Sequence, residues 1–144
     1  MEKIHLIKLN FKDIDFLQIK KIRTTVFHDE LSISESELFD EYDHSCEHFL
    51  IFDGKCIVGS LRIVQYEKKL KLERMAILRE FRGKNYGKNT ISQIKEYYSA
   101  LGFSELFLDS IFSIKNFYKK CGFIEKGEKF QRVGIDHIRM ESTF

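Results

Sequence analysis

Residues Leu70–Leu101 read LKLERMAILREFRGKNYGKNTISQIKEYYSAL, and this stretch decides the fold. Its beginning, residues 70–77, predicts a β-strand. Its end repeats apolar residues at the spacing of an amphipathic α-helix, which Gly102 ends. A short loop rich in glycine and cations, residues 82–88, joins the strand to the helix. A strand, a glycine loop and a helix in this order predict a domain in which helices pack on a sheet.

The loop reads RGKNYGK and lies where the helix begins. The first turn of a helix carries unpaired backbone N–H groups and the positive end of the helix dipole, so it attracts anions. Glycine lets the backbone approach an anion closely. The loop therefore predicts a phosphate site, and the alternative is a helix start with ordinary solvated cations.

The spacing of the glycines excludes two common nucleotide loops. A P-loop has four residues between its glycines and a Ser or Thr after its Lys, and the dinucleotide motif has the pattern G-x-G-x-x-G. Here three residues separate Gly83 from Gly87, and Asn89 follows Lys88. A nucleotide triphosphatase and a dinucleotide dehydrogenase are both poor fits.

The loop instead resembles the R-G-x-G-x-G segment of the GNAT acyl-CoA N-acyltransferase superfamily, whose amides hold the pyrophosphate of coenzyme A. One residue departs from the pattern, because Asn85 replaces the middle glycine. Asn tolerates left-handed backbone angles better than other non-glycine residues, so the turn can persist. The resemblance implies a set of residues that bind acetyl-CoA, the acyl-donor co-substrate: Met75, Ala76 and Ile77 through their main chain, and Arg82, Gly83, Lys84, Asn85, Tyr86, Gly87, Lys88 and Asn116.

A second segment, NFYKKCGF at residues 116–123, resembles the F-Y-x-x-x-G-F segment of the same superfamily. There the tyrosine is the usual general acid, which implies that Tyr118 protonates the departing thiolate of coenzyme A. A phenol suits this task because it holds its proton at neutral pH. The alternative is an aromatic packing residue beside Phe117 and Phe123.

A third segment, GEKFQRVGIDHIRM at residues 127–140, resembles the ending of small bacterial GNAT proteins of the ElaA-like branch. The early chain agrees with that branch in six residues: Arg23, Val26, Phe27, Asp40, Asp43 and His48. Members of the branch often carry Glu-Gln after Val-Phe, whereas this chain has His28-Asp29-Glu30. This departure falls in the region that contacts the amine substrate, which accepts the acetyl group in this family. It leaves the identity of that amine open.

The general base has several candidates. Glu73 precedes the loop, on the strand face predicted for Met75 and Ile77, and its carboxylate could accept the amine proton through water. Its alternative is a surface ion pair with Arg74. His48, His137 and direct loss of the proton to solvent are the other possibilities.

The composition of the chain limits the kinds of partner that we expect for it. The 144 residues predict one domain, 1–144, and 24 basic against 22 acidic residues give little reason to expect nucleic-acid binding. No apolar run is long enough for a membrane span, and the N-terminus lacks a signal-peptide core, so we expect no membrane partner and a cytoplasmic location. The three irregularly spaced cysteines predict reduced thiols and no metal site.

The order of predicted elements, β-α-α-β-β-β-α-β-α-β-β, indicates an α/β (α+β) fold. It matches the GNAT-like mixed, mostly antiparallel sheet of about seven strands flanked by helices. The first strand is expected at residues 2–9, Asp13 is expected to cap the first helix, and Val133-Gly134 is expected to turn the last hairpin.

The resemblance implies an N-acetyltransferase, in which a primary amine of a small molecule or peptide attacks acetyl-CoA directly, without a metal. The acidic segment 37–43 suggests a cationic acceptor such as a polyamine. The alternative function is a catalytically silent CoA-binding sensor or interaction module. Monomer and homodimer both stay open.

Overall fold

The computed structural model describes residues 4–144 and shows the mixed, mostly antiparallel sheet that the sequence predicts. Its seven strands lie in the order β1-β2-β3-β4-β5-β7-β6. They are β1 Ile4–Leu9, β2 Glu47–Asp53, β3 Cys56–Tyr66, β4 Lys69–Ile77, β5 Glu105–Ile111, β6 Ile124–Arg132 and β7 Ile135–Thr143. The helices are α1 Phe16–Arg23, α2 Tyr86–Ala100 and α3 Lys115–Lys120. Residues 2 and 3 of the predicted first strand lie outside the described residues.

The sheet divides the core into two parts. Helices α2 and α3 cover one face, where Ile91, Ile94 and Phe123 pack against strand residues such as Leu70 and Leu72. Helix α1 covers the other face with a cluster of apolar residues: Phe16, Ile19, Ile22, Val26, Leu50 and Ala76. Burial of these apolar side chains on both faces holds the helices on the sheet.

Strands β4 and β5 form the parallel pair of this sheet, and they separate soon after they meet. They pair only at Leu70 with Leu106 and at Lys71 with Phe107. Beyond these residues β4 has a β-bulge, where the register with β3 shifts and Arg74 takes a positive φ of 54°. The divergence opens a gap between two neighbouring strands in the middle of the sheet.

The first helix begins later than the sequence predicts. Asp13 is not its cap: the carboxylate accepts a hydrogen bond from the Asn10 N–H at 2.7 Å, and α1 starts at Phe16. After Arg23 the chain continues as a π-helical turn, Thr24–Glu30, and the predicted short helix around Ser34–Phe39 is a 3₁₀ turn, Glu35–Glu37. These turns place a wall of irregular chain beside β4.

Among residues 4–144, no helix combines the length and the apolar character that a membrane span requires.

The last hairpin turns at Val133-Gly134 as predicted, and Val133 is strained there. Both residues have positive φ, 49° and 75°, between the paired ends Arg132 and Ile135, which is the pattern of a type I′ turn. A β-branched residue is rare at such angles, and Asn is favoured. We expect Val133→Asn to raise the free energy of unfolding by about 1 kcal/mol, measured by urea denaturation. A lower stability would show that packing of the valine outweighs its backbone strain.

Candidate functional site

The glycine loop forms a tight turn at the start of α2. Asn85 precedes the helix with φ 65° and ψ 13°, and Gly83 has φ 78°. The prediction that Asn85 can take the left-handed angles of a glycine is therefore confirmed. Tyr86 is buried, and its hydroxyl donates a hydrogen bond to the Asp53 carboxylate. The side chain of Tyr86 thus anchors the start of α2.

Arg82 ties the loop to its surroundings. Its Nε donates to the Ile77 carbonyl at the end of β4, at 2.8 Å, and its guanidinium pairs with the Glu30 carboxylate at 2.9 Å. The contacts hold the loop against both the strand and the π-helical turn. Lys84 and Lys88 lie on the exposed surface of the same loop.

A cavity of about 520 Å³ lies beside this loop, next to the separating end of β4. Nine of the residues predicted from the sequence line it: Met75, Ala76, Ile77, Arg82, Gly83, Asn85, Tyr86, Gly87 and Tyr118. Three others, Lys84, Lys88 and Asn116, are exposed and are not part of the lining. The structure therefore brings the loop, the strand and α3 together around one space.

A second cavity, of about 200 Å³, lies in the gap between β4 and β5. Its walls come from the chain around Ile33–Leu38, from both strands and from the β6–β7 turn. The two cavities share five lining residues: Phe27, Met75, Ile111, Ile114 and Tyr118. Tyr118 is therefore one of the residues at which the two cavities adjoin.

Tyr118 is held rigidly at this junction. It is 7% exposed, and its ring makes edge contacts with Phe117 and Phe123. Burial raises the pKa of the phenol, so the side chain keeps its proton at neutral pH. The packing expected from its aromatic neighbours is present, and the role of Tyr118 as the general acid stays a prediction.

Glu73 differs from its sequence-based description in two ways. The bulge at Arg74 shifts the alternation of β4, so Met75 and Ile77 pack with the cluster of Leu70 and Leu72 while Glu73 lies on the other face. Its ion-pair partners are also different: the carboxylate binds Arg62 and Lys71, each at 2.9 Å, and not Arg74.

These contacts disfavour Glu73 as a general base. Burial alone would raise its pKa, but the hydrogen bond from Lys71 and the charges of Lys71 and Arg62 together lower it. A carboxylate with a lowered pKa and both oxygens paired accepts a proton poorly.

Arg62 is the centre of a buried ion network. It is 1% exposed, and its Nη1 donates to the Asp40 and Asp43 carboxylates at 2.6 and 3.0 Å. Its Nη2 reaches Asp40 at 2.8 Å and Glu73 at 2.9 Å. The network continues through Lys71 to Asp109, which also pairs with Arg132 and Arg139.

Two carboxylates of the acidic segment 37–43 take part in this network, and their pairing weakens the sequence argument for a cationic acceptor. Asp43 pairs with Arg23 as well as Arg62, and Asp40 pairs with Arg74. The hydrogen bond from Arg62 lowers the pKa of Asp40 to about 2. Asp40 and Asp43 are thus both paired with arginines, and these pairs hold the segment over the sheet.

The sequence analysis did not identify Arg62, Lys71 and Asp109 as members of this ion network. The available signal was a charge within an otherwise apolar strand, as in SLRIV at residues 60–64 and LKL at 70–72. A charge at such a place is rarely buried without a partner. The signal indicates a buried charge but not the partner, because the partners lie on other strands.

Asp43, Cys46 and His48 also lie close together, with donor atoms within 4.8 Å of one another. This group is a poor cation site. Two guanidiniums already occupy the Asp43 carboxylate, and burial raises the pKa of the Cys46 thiol to about 12. His48 Nε2 lies 2.9 Å from the Asp43 carbonyl, which identifies His48 as a buried structural residue.

Comparisons with known proteins agree with this architecture. A family model described as an acetyltransferase (GNAT) domain matches residues 18–144. The uncharacterized protein YyaT of Bacillus subtilis (strain 168) is 31% identical over 131 residues, which cover 89% of this chain and 88% of YyaT.

Two solved structures share the fold. Escherichia coli ElaA superposes with a TM-score of 0.82 at 21% identity, covering 97% of this chain and 99% of ElaA. A Bacillus subtilis acetyltransferase in complex with CoA gives a TM-score of 0.73 at 16% identity, covering 99% of each chain. On the match to the family model and to YyaT, the chain belongs to the acetyltransferase (GNAT) family.

Proposed function

We propose that this protein transfers the acetyl group of acetyl-CoA to a primary amine of a small molecule or peptide by direct attack. One observation carries the proposal: two cavities meet at Tyr118, in the gap that the separation of β4 and β5 opens. Such an arrangement suits two substrates that enter from different sides and react at one point.

The larger cavity is the proposed donor site. The start of α2 offers backbone N–H groups to the pyrophosphate, and the turn at Gly83 and Asn85 aims them. The main chain of Met75, Ala76 and Ile77 borders the same cavity and would hold the pantetheine arm. The fold neighbour that was solved with CoA supports this assignment.

The proposed reaction requires few catalytic groups from the protein. The amine nitrogen attacks the thioester carbonyl, a C–N bond forms, and the C–S bond breaks. The departing thiolate needs a proton, which Tyr118 can supply because burial keeps its phenol protonated. The proton leaves the amine to a base or to solvent, and no covalent intermediate on the protein is required.

The smaller cavity is the proposed acceptor site. Much of its wall is apolar, including Phe27, Ile33 and Leu38, while the carboxylates of Glu73 and Asp109 are both paired with Lys71. Paired carboxylates attract a cation only weakly, since the neighbouring cations cancel their field. The cavity favours an amine that is attached to an apolar body over a polyamine.

The glycine loop gives a direct prediction about CoA affinity. Since Asn85 already takes left-handed angles, Asn85→Gly should keep the dissociation constant of CoA within about threefold of the wild type. Asn85→Val should weaken binding about tenfold, because a β-branched residue costs roughly 1–2 kcal/mol in this conformation. Isothermal titration calorimetry measures both. Tenfold tighter binding by Asn85→Gly would mean that Asn85 strains the loop.

The function itself is tested by one pair of measurements. The protein is incubated with acetyl-CoA and a pooled library of primary amines, and free thiol is followed, while thermal unfolding is recorded with and without CoA. We expect stabilisation by CoA and thiol release that depends on the amines. Stabilisation without release would favour the silent CoA-binding module, and the absence of both would exclude either function.

A further inference from the structure

We infer that His137 is the general base that takes the proton from the acceptor amine. The inference rests on the proposed function and names a residue for its one unassigned step. His137 lies on β7, is 8% exposed and lines the smaller cavity together with Tyr118 and Met75. It therefore borders the space in which an amine would stand beside the proposed acid.

The hydrogen bonds of His137 fix which ring nitrogen is free. Its Nδ1 lies 2.8 Å from the Ile135 carbonyl oxygen, which can only accept a hydrogen bond. Nδ1 must therefore carry the proton, and in the neutral ring Nε2 holds the lone pair. Among residues 4–144, Nε2 has no hydrogen-bond partner. A neutral imidazole with a free Nε2 at a cavity wall is ready to accept a proton.

The ring is also held in place. It stacks on Phe130 of β6 with centroids 5.9 Å apart and an interplanar angle of 26°, and it lies opposite Ile111 in the pairing of β5 with β7. Ile111 borders both cavities. The strand pairing thus places His137 next to Ile111, which borders both cavities as Tyr118 does.

The other candidates are worse placed. Glu73 is paired with Arg62 and Lys71, as described above. His48 is fully buried, with Nε2 against a carbonyl and Nδ1 without a hydrogen-bond partner, and it lines neither cavity. Of the groups considered from the sequence, His137 alone combines an open nitrogen with the cavity.

The proton balance is complete without a further reactant. Nε2 of His137 takes one proton from the attacking amine, and Tyr118 gives one proton to the sulfur of CoA. The imidazolium then loses its extra proton to solvent, and the phenolate of Tyr118 takes a proton from solvent, so both side chains return to their starting states. The products are the acetylated amine and CoA with a free thiol.

The test begins with His137→Gln, which removes the base, and with His5→Gln as a matched control on the exposed part of β1. The best amine of the pooled library is used at several pH values. We expect His137→Gln to lower kcat/KM about 100-fold and to keep the dissociation constant of CoA unchanged. His5→Gln should behave as the wild type. An activity of His137→Gln within threefold of the wild type would overturn the inference.

The pH profile separates a base from a structural residue. The wild type should lose activity towards acid pH, and this acid limb of the pH–rate profile should be absent from His137→Gln, which lacks the imidazole. The charged or titratable groups around the same cavity are Glu37, Lys71, Glu73, Arg74, Asp109, Tyr118 and Arg132, and Asp136 is next to His137 on β7. Ion pairs lower the pKa of Asp109 to about 2 and also lower the pKa of Glu73. Protonation of these two carboxylates therefore does not account for a fall in rate at a pH closer to neutrality. An unchanged acid limb in His137→Gln would assign it to another group and contradict the inference.

A measurement without turnover complements the kinetics. Two-bond ¹H–¹⁵N correlation spectra of the wild type distinguish the tautomers, and we expect Nδ1–H for neutral His137 and Nε2–H for His48. An Nε2–H tautomer at His137 would overturn the inference even in an active enzyme. A wild type that releases no thiol with any amine would overturn the proposed function, and the role of His137 with it.

Discussion

Replacing Tyr118 by Phe should lower kcat about 1,000-fold while the dissociation constant of CoA changes little. The substitution removes only the hydroxyl, and the ring contacts with Phe117 and Phe123 can remain. The thiolate of CoA then leaves without a proton from the protein, and loss of a positioned acid typically costs 10²–10⁴-fold. Initial rates of thiol release and calorimetric titration with CoA give the two quantities.

The control for this prediction is Tyr97→Phe. Tyr97 is a half-exposed tyrosine of α2 that lines neither cavity, so its loss should leave kcat unchanged. Turnover of Tyr118→Phe within a few-fold of the wild type would remove Tyr118 from the role of acid and leave it as a packing residue. A large loss of CoA affinity would indicate a binding role instead.

Replacing Arg62 by Ala should destabilise the fold by about 3–5 kcal/mol, because it removes a partner of the buried Asp43 carboxylate and of the partly buried Glu73. Arg62 touches Asp40, Asp43 and Glu73, so one substitution affects three acids. The matched control is Arg79→Ala, since Arg79 is 76% exposed and its pair with Glu30 spans 3.8 Å. We expect the control to change stability by less than about 0.5 kcal/mol in urea denaturation. Equal effects of the two substitutions would contradict the importance of the network.

The same network predicts how stability depends on pH. Arg62 lowers the pKa of Asp40 to about 2, below its ordinary value of 3.8. A carboxyl with a lowered pKa stabilises the fold above its unfolded pKa, and this contribution is lost as pH falls from about 4 towards 2. The wild type should therefore lose stability over this range more steeply than Arg62→Ala. Parallel curves for the two proteins would show that the pair contributes little to folding.

The sequence predicted the features that depend on neighbouring residues. The strand, loop and helix around Gly83 and Gly87, the turn at Val133-Gly134 and the left-handed turn at Asn85 all follow from local backbone preferences. The sheet of about seven strands followed from the order of these elements, and the structure confirms it.

The features that the sequence did not reveal depend on contacts between distant residues. The bulge at Arg74 reverses the alternation that had placed Glu73 beside Met75. The partner of Glu73 is Arg62 on the neighbouring strand, and no local pattern indicates that pair. The pairing of Asp40 and Asp43 with arginines was hidden for the same reason, because those arginines lie on other elements of the fold. The glycine loop can be recognised from a continuous stretch of sequence. The wall of the smaller cavity cannot, because its residues come from several separate elements.

The central claim, that acetyl transfer takes place where the two cavities meet at Tyr118, is tested most directly by the products. The wild type is incubated with acetyl-CoA and the amine library, and the acetylated amines are identified by mass spectrometry beside the free CoA. We expect one or a few acetylated amines, in amounts equal to the CoA released, and almost none with Tyr118→Phe. Release of CoA without an acetylated amine, or equal product from both proteins, would contradict the account.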